Sequence, residues 1–433
     1  MDGKELLSRL KRLSEIEDAN KDIRALTYAQ FPGTHCPLMG AAMAVRGIDG
    51  AYMMIVGTDE CAYYTKKMTI HSEDWGGIGG RCVSVTIDQH DITFGCVKKV
   101  KEAFNELMDE YSPKAVFIVT TCVPEIIGDD FDALAFELTE SFGIRVMIVH
   151  TEHFKCENHL PGVERTITAC FELMQPQKKN GSVNVIGQRM GRFEDTELNR
   201  ILVSAGIEVC AMIPSGCSID DIRRAPCARV NIVVNDIGLP LAKKMKASFG
   251  TPYVFFDKFT SPKHIEKAYQ ELFSFLELPL PAELEALKAT AEKAVSDAKK
   301  KLNGVSFIYG NTPFRAFEAC AFMSSLGMKA ELIQCHGIKR EDENDVRSIL
   351  AAHDPFITQS ANISPMQYIY DELRPMLYLG HEYAMRLRKK GIALVHTDMG
   401  GGMLGYEATS YLLAQLIHSA EEAREIREGG TNK

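Results

Sequence analysis

The feature that most constrains this chain is a unit that recurs along it: a short β-branched apolar run, a polar or glycine-rich loop, then a segment of helical periodicity. AYMMIVG (51–57), KAVFIVTT (114–121) and RVMIVHT (145–151) are the runs of the first third. VKKVKEAFNELM stands among them and puts Val97, Val100, Phe104, Leu107 and Met108 on one helical face. PQKKNGS (176–182) breaks the pattern like a linker, and a second set follows with VNVIG, IEVCAMI, RVNIVVND and PYVFFD. PAELEALKATAEKAVSDAKKKL (281–302) predicts a long, mostly exposed helix, after which VSFIYG, KAELIQC, PFITQS and IALVHT form a third set. Strands so evenly apolar are buried on both faces, which calls for parallel sheets covered by helices. The expectation is an α/β chain of three Rossmann-like parallel-sheet domains, residues 1–178, 179–300 and 301–433. No fixed-period self-similarity accompanies them, so they are related folds and not a sequence repeat.

The chain has 433 residues and a formal charge of -9, which makes neither nucleic acid nor an anionic membrane surface its natural partner. Its N-terminus, MDGKELLSRLKRLSEIEDANKD, is charged throughout, and no run of 18 residues is apolar without a charge, so the expected location is the cytoplasm. In that compartment the 12 cysteines stay reduced, which leaves metal ligation and simple burial as their uses.

Ligands of open parallel sheets gather beyond the C-terminal ends of the strands, so the residues just after each apolar run carry the interest. Cys61 follows AYMMIVG, Cys122 stands at the end of KAVFIVTT, and Cys36 precedes a helix that begins with Pro37. Zinc sites pair their ligands closely, as in C-x2-C, and no such pair occurs here, so thiolates spread over loops suit an iron-sulfur cluster better. On spacing alone, scattered burial accounts for these cysteines better than ligation does.

HCPLMGAA, IVGTDECAYY and TTCVPEIIGDDFDALA, in this order and at these intervals, resemble the three cysteine blocks of the nitrogenase component 1 superfamily. That family comprises nitrogenase molybdenum-iron protein subunits, cofactor-assembly scaffolds and dark-operative protochlorophyllide reductases. DITFGCVKKVKEAF, FGIRVMIVHTEHF and GGGMLGYEATSYLL also fall where the family has counterparts, so the resemblance spans nearly the whole chain. It implies that Cys36, Cys61 and Cys122 hold an iron-sulfur cluster, [4Fe-4S] or a P-cluster-type [8Fe-7S], at a subunit interface. It further implies that the remaining ligands come from a homologous component 1 subunit or from a second copy of the chain. The resemblance also implies that a separate ATP-dependent iron protein delivers the electrons; the chain itself has no G-x-x-x-x-G-K-[ST] phosphate loop, and GGIGGR (76–81) lacks its Lys-Ser/Thr ending.

The chain departs from the nitrogenases at the two positions that anchor their active-site cofactor. Asn235 falls where they have a cysteine and Leu404 where they have a histidine; an amide is a poor ligand for a soft iron-sulfur core and leucine is none. The expected role is therefore that of the catalytic-component subunit of a nitrogenase-like reductase acting on a small molecule other than dinitrogen. The alternative is a scaffold for cofactor assembly, and Cys217, Cys227 and His396 are the side chains available to a re-sited cofactor. His153 and His159, beside Glu152 and Glu157, are candidate proton donors to a substrate, against a bland reading as surface or capping histidines. Cys335 and Arg315 are candidate cofactor-binding residues, and Arg81 and Arg189 also follow strands, where a guanidinium can clamp an anion. Cys210 and Cys320, inside apolar runs, read as packing.

Overall fold

Parallel pairing is what doubly apolar runs require, and a computed structural model, which describes residues 2–26, 35–70, 78–156, 158–359 and 363–429, contains among them three large, mainly parallel sheets and a two-stranded parallel one, Ile48–Asp49 with Cys217–Ser218. The first has the strand order Cys82–Thr86, Ala51–Gly57, Ala115–Thr120, Arg145–His150. The second runs Tyr253–Phe255, Val230–Val233, Val183–Ile186, Val209–Ile213. In each, the first strand in sequence lies inside and the strand order reverses beside it, which creates a topological switch point between the first and third strands. The third sheet, Phe356–Thr358, Lys329–Gln334, Ser306–Tyr309, Leu377–Leu379, Ala393–Val395, has its switch point beside Ser306–Tyr309. The two central strands of the first sheet are buried except at the half-buried Tyr52, as the unbroken apolar runs predict.

Two departures from the sequence reading have simple causes. The strands Cys82–Thr86 and Leu377–Leu379 are short and alternate or abut prolines and glycines, so no apolar run announces them. Residues 2–26, grouped by sequence with the first unit, instead lie on the third sheet: Lys11–Arg12 pairs antiparallel with Phe356–Thr358, and Gly3–Leu7 packs on the Ile363–Leu373 helix. A charged dipeptide gives no apolar signal for an edge strand. The long helix Glu283–Leu302 buries Leu284, Ala291, Ala298 and Leu302, and it packs against the last helix, Tyr406–Gly429.

Candidate metal centre

Ala51–Gly57 and Ala115–Thr120 flank the switch point of the first sheet in register, Val56 beside Thr120, so whatever follows them emerges side by side. After Gly57 and Thr58 the helix Asp59–Ile70 begins, carrying Cys61 in its first turn. After Thr120, Thr121 is extended and Cys122 opens the helix Cys122–Ile127. Gly57 must lack a side chain, because a Cβ there would run into the side chain of Thr121. Gly128, left-handed at φ 81°, ends that helix, and Asp130 caps the next one through the Ala133 N–H at 2.9 Å.

Cys36 is brought to the same edge by a helix pair. It is the extended N-cap residue of Pro37–Arg46, which crosses Leu160–Ala169 with backbones almost in contact. A Cβ on Gly40 would collide with the His159 carbonyl, and one on Gly162 with the Pro37 carbonyl. Burial pushes the Cys36 thiol up, the N–H groups of Leu38 and Met39 oppose that, and negative charge on Cys61 and Cys122 pushes it up again. The three sulfurs thus share one electrostatic environment. Thr58 Oγ1 donates to Cys61 Sγ at 3.7 Å, and the His153 N–H donates to Cys122 Sγ at 3.3 Å.

Donors of this kind, aimed at sulfur from helix starts and backbone, stabilise thiolates and tune a cluster's potential. Among the described residues no three His, Cys, Asp or Glu side chains are gathered tightly enough to hold a single metal ion. An open set of three soft ligands at a protein edge fits a multi-iron cluster completed from outside. Tyr63 and Ile126, on the same two helices as Cys61 and Cys122, are 65% and 72% exposed.

The other candidates are placed differently. His153 is exposed and offers its backbone N–H to Cys122; Glu157 lies outside the described residues. His159, which begins the Leu160–Ala169 helix, stands edge-on to His35 at 6.3 Å and puts Nε2 3.4 Å from Arg189 Nη1. Burial, then the Arg189 charge, lowers it to about 4, so it does not have the ordinary pKa of a proton donor at neutral pH. Arg81 donates to the carbonyls of Ile48 and Ala51, stapling the backbone.

Arg315 is held by Asp236 and Asp342 at 2.9 Å and by Asp257 at 3.5 Å, three carboxylates that raise its pKa and already meet its charge. Cys335 is buried in the core of the third sheet and pushed up to about 11 by burial. One pair escaped sequence reasoning: His150 Nδ1 lies 2.8 Å from Glu125 Oε1, which also accepts the Thr120 hydroxyl, directly behind Cys122. The hydrogen bond to Glu125 raises His150. Its only signal in the sequence is a histidine ending the strand beside Thr120.

The switch point of the second sheet faces the first and third units. Gln188 and Arg189 follow Val183–Ile186, Asn235 and Asp236 follow Val230–Val233, and Gly401 and Gly402 close on Met190 and Gly191. Gln188 Oε1 and Arg189 Nε are buried without a hydrogen-bond partner among the described residues. Neither Asn235 nor Leu404 offers a ligand to a molybdenum-type cofactor. Asn235 spends its amide oxygen on the Ile237 N–H at 3.2 Å, and Leu404 is wholly buried in the core of the second sheet. Of the substitutes, Cys217 is buried in the core shared by the first two sheets, Cys227 faces Cys210, and His396 lines a depression on the third unit with His381 and Asp398.

Comparison with known proteins shows the family. The family described as Nitrogenase component 1 type Oxidoreductase matches residues 36–421, and the chain belongs to it. Its relatives include the nitrogenase iron-molybdenum cofactor biosynthesis protein NifE of Clostridium pasteurianum, 26% identical over 83% of this chain and 80% of that protein. A subunit of the light-independent protochlorophyllide reductase of Acaryochloris marina is 28% identical over 39% of this chain and 36% of its own length. The solved structure titled Nitrogenase Cp1 at pH 6.5 superposes with a TM-score of 0.77 at 16% identity, over 94% of this chain and 95% of that one, and so shares the fold.

Proposed function

We propose that this chain is the cluster-bearing subunit of a nitrogenase-like two-component reductase. The observation that carries the reading is the conjunction of three thiols, Cys36, Cys61 and Cys122, that act on one another with non-ligating residues at the two positions read as cofactor anchors: Asn235, whose amide oxygen is spent on a backbone N–H, and Leu404, buried in a core. A scaffold that stores an iron-sulfur cofactor needs soft ligands where the cofactor rests, and neither residue is one. A bound cluster supplies single electrons at low potential. The protein's own residues do the rest: Cys36, Cys61 and Cys122 grip the cluster, and the His153 and Thr58 donors hold thiolate charge. The exposed Tyr63 and Ile126 offer apolar surface to the homologous subunit or second copy that completes the ligand set. With no phosphate loop in the sequence, ATP is hydrolysed on a separate iron protein. In the cleft, the unpartnered Arg189 Nε suits a small organic substrate with an anionic group, such as a tetrapyrrole carboxylate.

The relatives named as NifE favour the second reading, a scaffold for cofactor assembly. Anaerobic turnover with an iron protein, ATP and candidate tetrapyrroles separates the two. Sustained, substrate-dependent electron uptake is expected of the reductase. Cluster-loaded protein that passes iron and sulfide to an acceptor without turning over would establish the scaffold instead.

A further inference from the structure

Cys210 and Cys227 lie on the second sheet, apart from the cysteines of the metal centre. Cys210 belongs to Val209–Ile213, the edge strand, and Cys227 ends the tight turn Ala225–Cys227 that leads into Val230–Val233. Their sulfurs are 3.3 Å apart, and an approach of roughly 1.3 Å would bring them to the ~2.0 Å of a disulfide. Both are half-buried, so a small molecule reaches them.

The turn is fixed from several sides. Lys179 Nζ donates to the carbonyls of Pro226 and Ala228 at 2.9 and 3.0 Å, the Asn180 N–H donates to the Cys227 carbonyl at 2.9 Å, and the Asn184 amide donates to the Ala225 carbonyl at 2.8 Å.

The two sulfurs are not equivalent. Asn180 Nδ2 donates to Cys227 Sγ at 3.4 Å, and the Asn180 amide is oriented for this because its oxygen accepts from the Ser182 N–H and hydroxyl at 2.9 and 2.6 Å. The positive charge of Lys179 also acts on Cys227, while that of Arg224 acts on both sulfurs. Cys210 is pushed up to about 12 by burial and by the neighbouring sulfur, so it keeps its proton.

We propose that Cys210 and Cys227 form a redox-active dithiol in which Cys227 attacks an external disulfide and Cys210 resolves the adduct. The Cys227 sulfur, as thiolate, bonds to one sulfur of R–S–S–R; that S–S bond breaks and the first R–S leaves as a thiolate. The leaving thiolate takes up the Cys210 proton, and the Cys210 sulfur then displaces the second R–S from Cys227. The second R–S also leaves as a thiolate and takes from solvent the proton that Cys227 released on ionising, so that the dithiol gives up two electrons and two protons and the external disulfide becomes two thiols. The new bond staples the edge strand Val209–Ile213 to the turn ahead of Val230–Val233. This assignment is independent of the chain's role as reductase or scaffold.

The test is anaerobic incubation of the full-length, iron-loaded protein with glutathione disulfide, followed by alkylation and peptide mass mapping. The expected product is a peptide linked through Cys210 and Cys227 that dithiothreitol reopens to two alkylated cysteines. Cys210→Ser should accumulate a glutathione adduct on Cys227, whereas Cys227→Ser should be modified at Cys210 roughly tenfold more slowly or not at all. Both variants should keep the iron content and circular dichroism of the parent. Recovery of Cys210 and Cys227 singly alkylated, with no link, from the unaltered chain overturns the proposal. Equal rates of adduct formation in the two variants overturn the assignment of roles.

Discussion

The seam between the second and third sheets and the open end of the first use polar groups in opposite ways. At the seam every buried carboxylate is met by fixed donors. Glu318 accepts from the N–H and hydroxyl of Thr260, from the Ser261 N–H at 2.8 Å, and faces His264 Nδ1 at 3.2 Å, so a residue of one unit caps the Pro262–Leu276 helix of another. Glu197 accepts from the N–H groups of Tyr406 and Glu407 at the start of the last helix, while the Glu407 carboxylate accepts from the Glu197 N–H at 2.9 Å. At the first sheet's edge, three sulfurs receive a few N–H and O–H donors and stand beside exposed Tyr63 and Ile126. The seam is finished within the chain, whereas on the proposed reading the cysteine edge is finished by a cluster and a partner. That reading puts stability and function in separate places, so each should be removable without the other.

The largest effect should come from serine at Cys36, Cys61 and Cys122 together. Anaerobically purified protein is expected to lose nearly all its iron and sulfide, and the EPR signal of the reduced form with them. Partly exposed thiols contribute little to packing, so the iron-free variant should match the iron-free parent in urea denaturation within about 0.5 kcal/mol. Iron content unchanged in the triple variant would remove the metal centre from these residues.

The reverse dissociation belongs to the seam. Glu318→Ala strips the cap from a buried helix start and leaves several N–H groups unpaired, a loss of about 3 kcal/mol in denaturant unfolding. Iron per folded chain should stay at the parental level. Gly162→Ala is the substitution that couples the two regions, because its Cβ forces the helix behind Cys36 away from Leu160–Ala169. Overpacking of this kind costs about 1–3 kcal/mol, and here it should lower iron content as well.

This division explains what the sequence made legible. The three parallel-sheet units could be read because each central strand is an apolar run bounded by loops, and Cys61 and Cys122 because they follow the two strands at a switch point. Cys36 could be read as a helix-start thiol ahead of Pro37, but not its nearness to the other two, since that rests on the glycine crossing of two helices far apart in sequence. The contacts of the seam leave no local trace: Glu318 with Thr260, Glu197 with Tyr406 and Arg315 with Asp236 join residues whose types are ordinary for exposed positions. The neighbour of Cys210 was hidden for a related reason. An edge strand shows one face to solvent, and its apolar run hid a sulfur turned toward Cys227.

The smallest expected effects sharpen the same contrast through pH. His264, at the seam, is raised by its hydrogen bond to Glu318, so its contribution is complete below the unfolded value of about 6.5 and is lost as pH climbs through the raised folded value. His159, near the cysteine edge, is lowered to about 4, so the unfolded chain binds the extra proton between about 6.5 and 4 and stability falls as the solution is acidified through that window. The two histidines thus bend the stability curve of the iron-free protein downward on opposite sides of about pH 6.5. Urea denaturation at about pH 5, 6.5 and 8 should show that His264→Gln flattens only the alkaline side and His159→Gln only the acid side. If either variant flattened both limbs, the two regions would be one electrostatic unit, and the separation of a closed seam from an open edge would be lost.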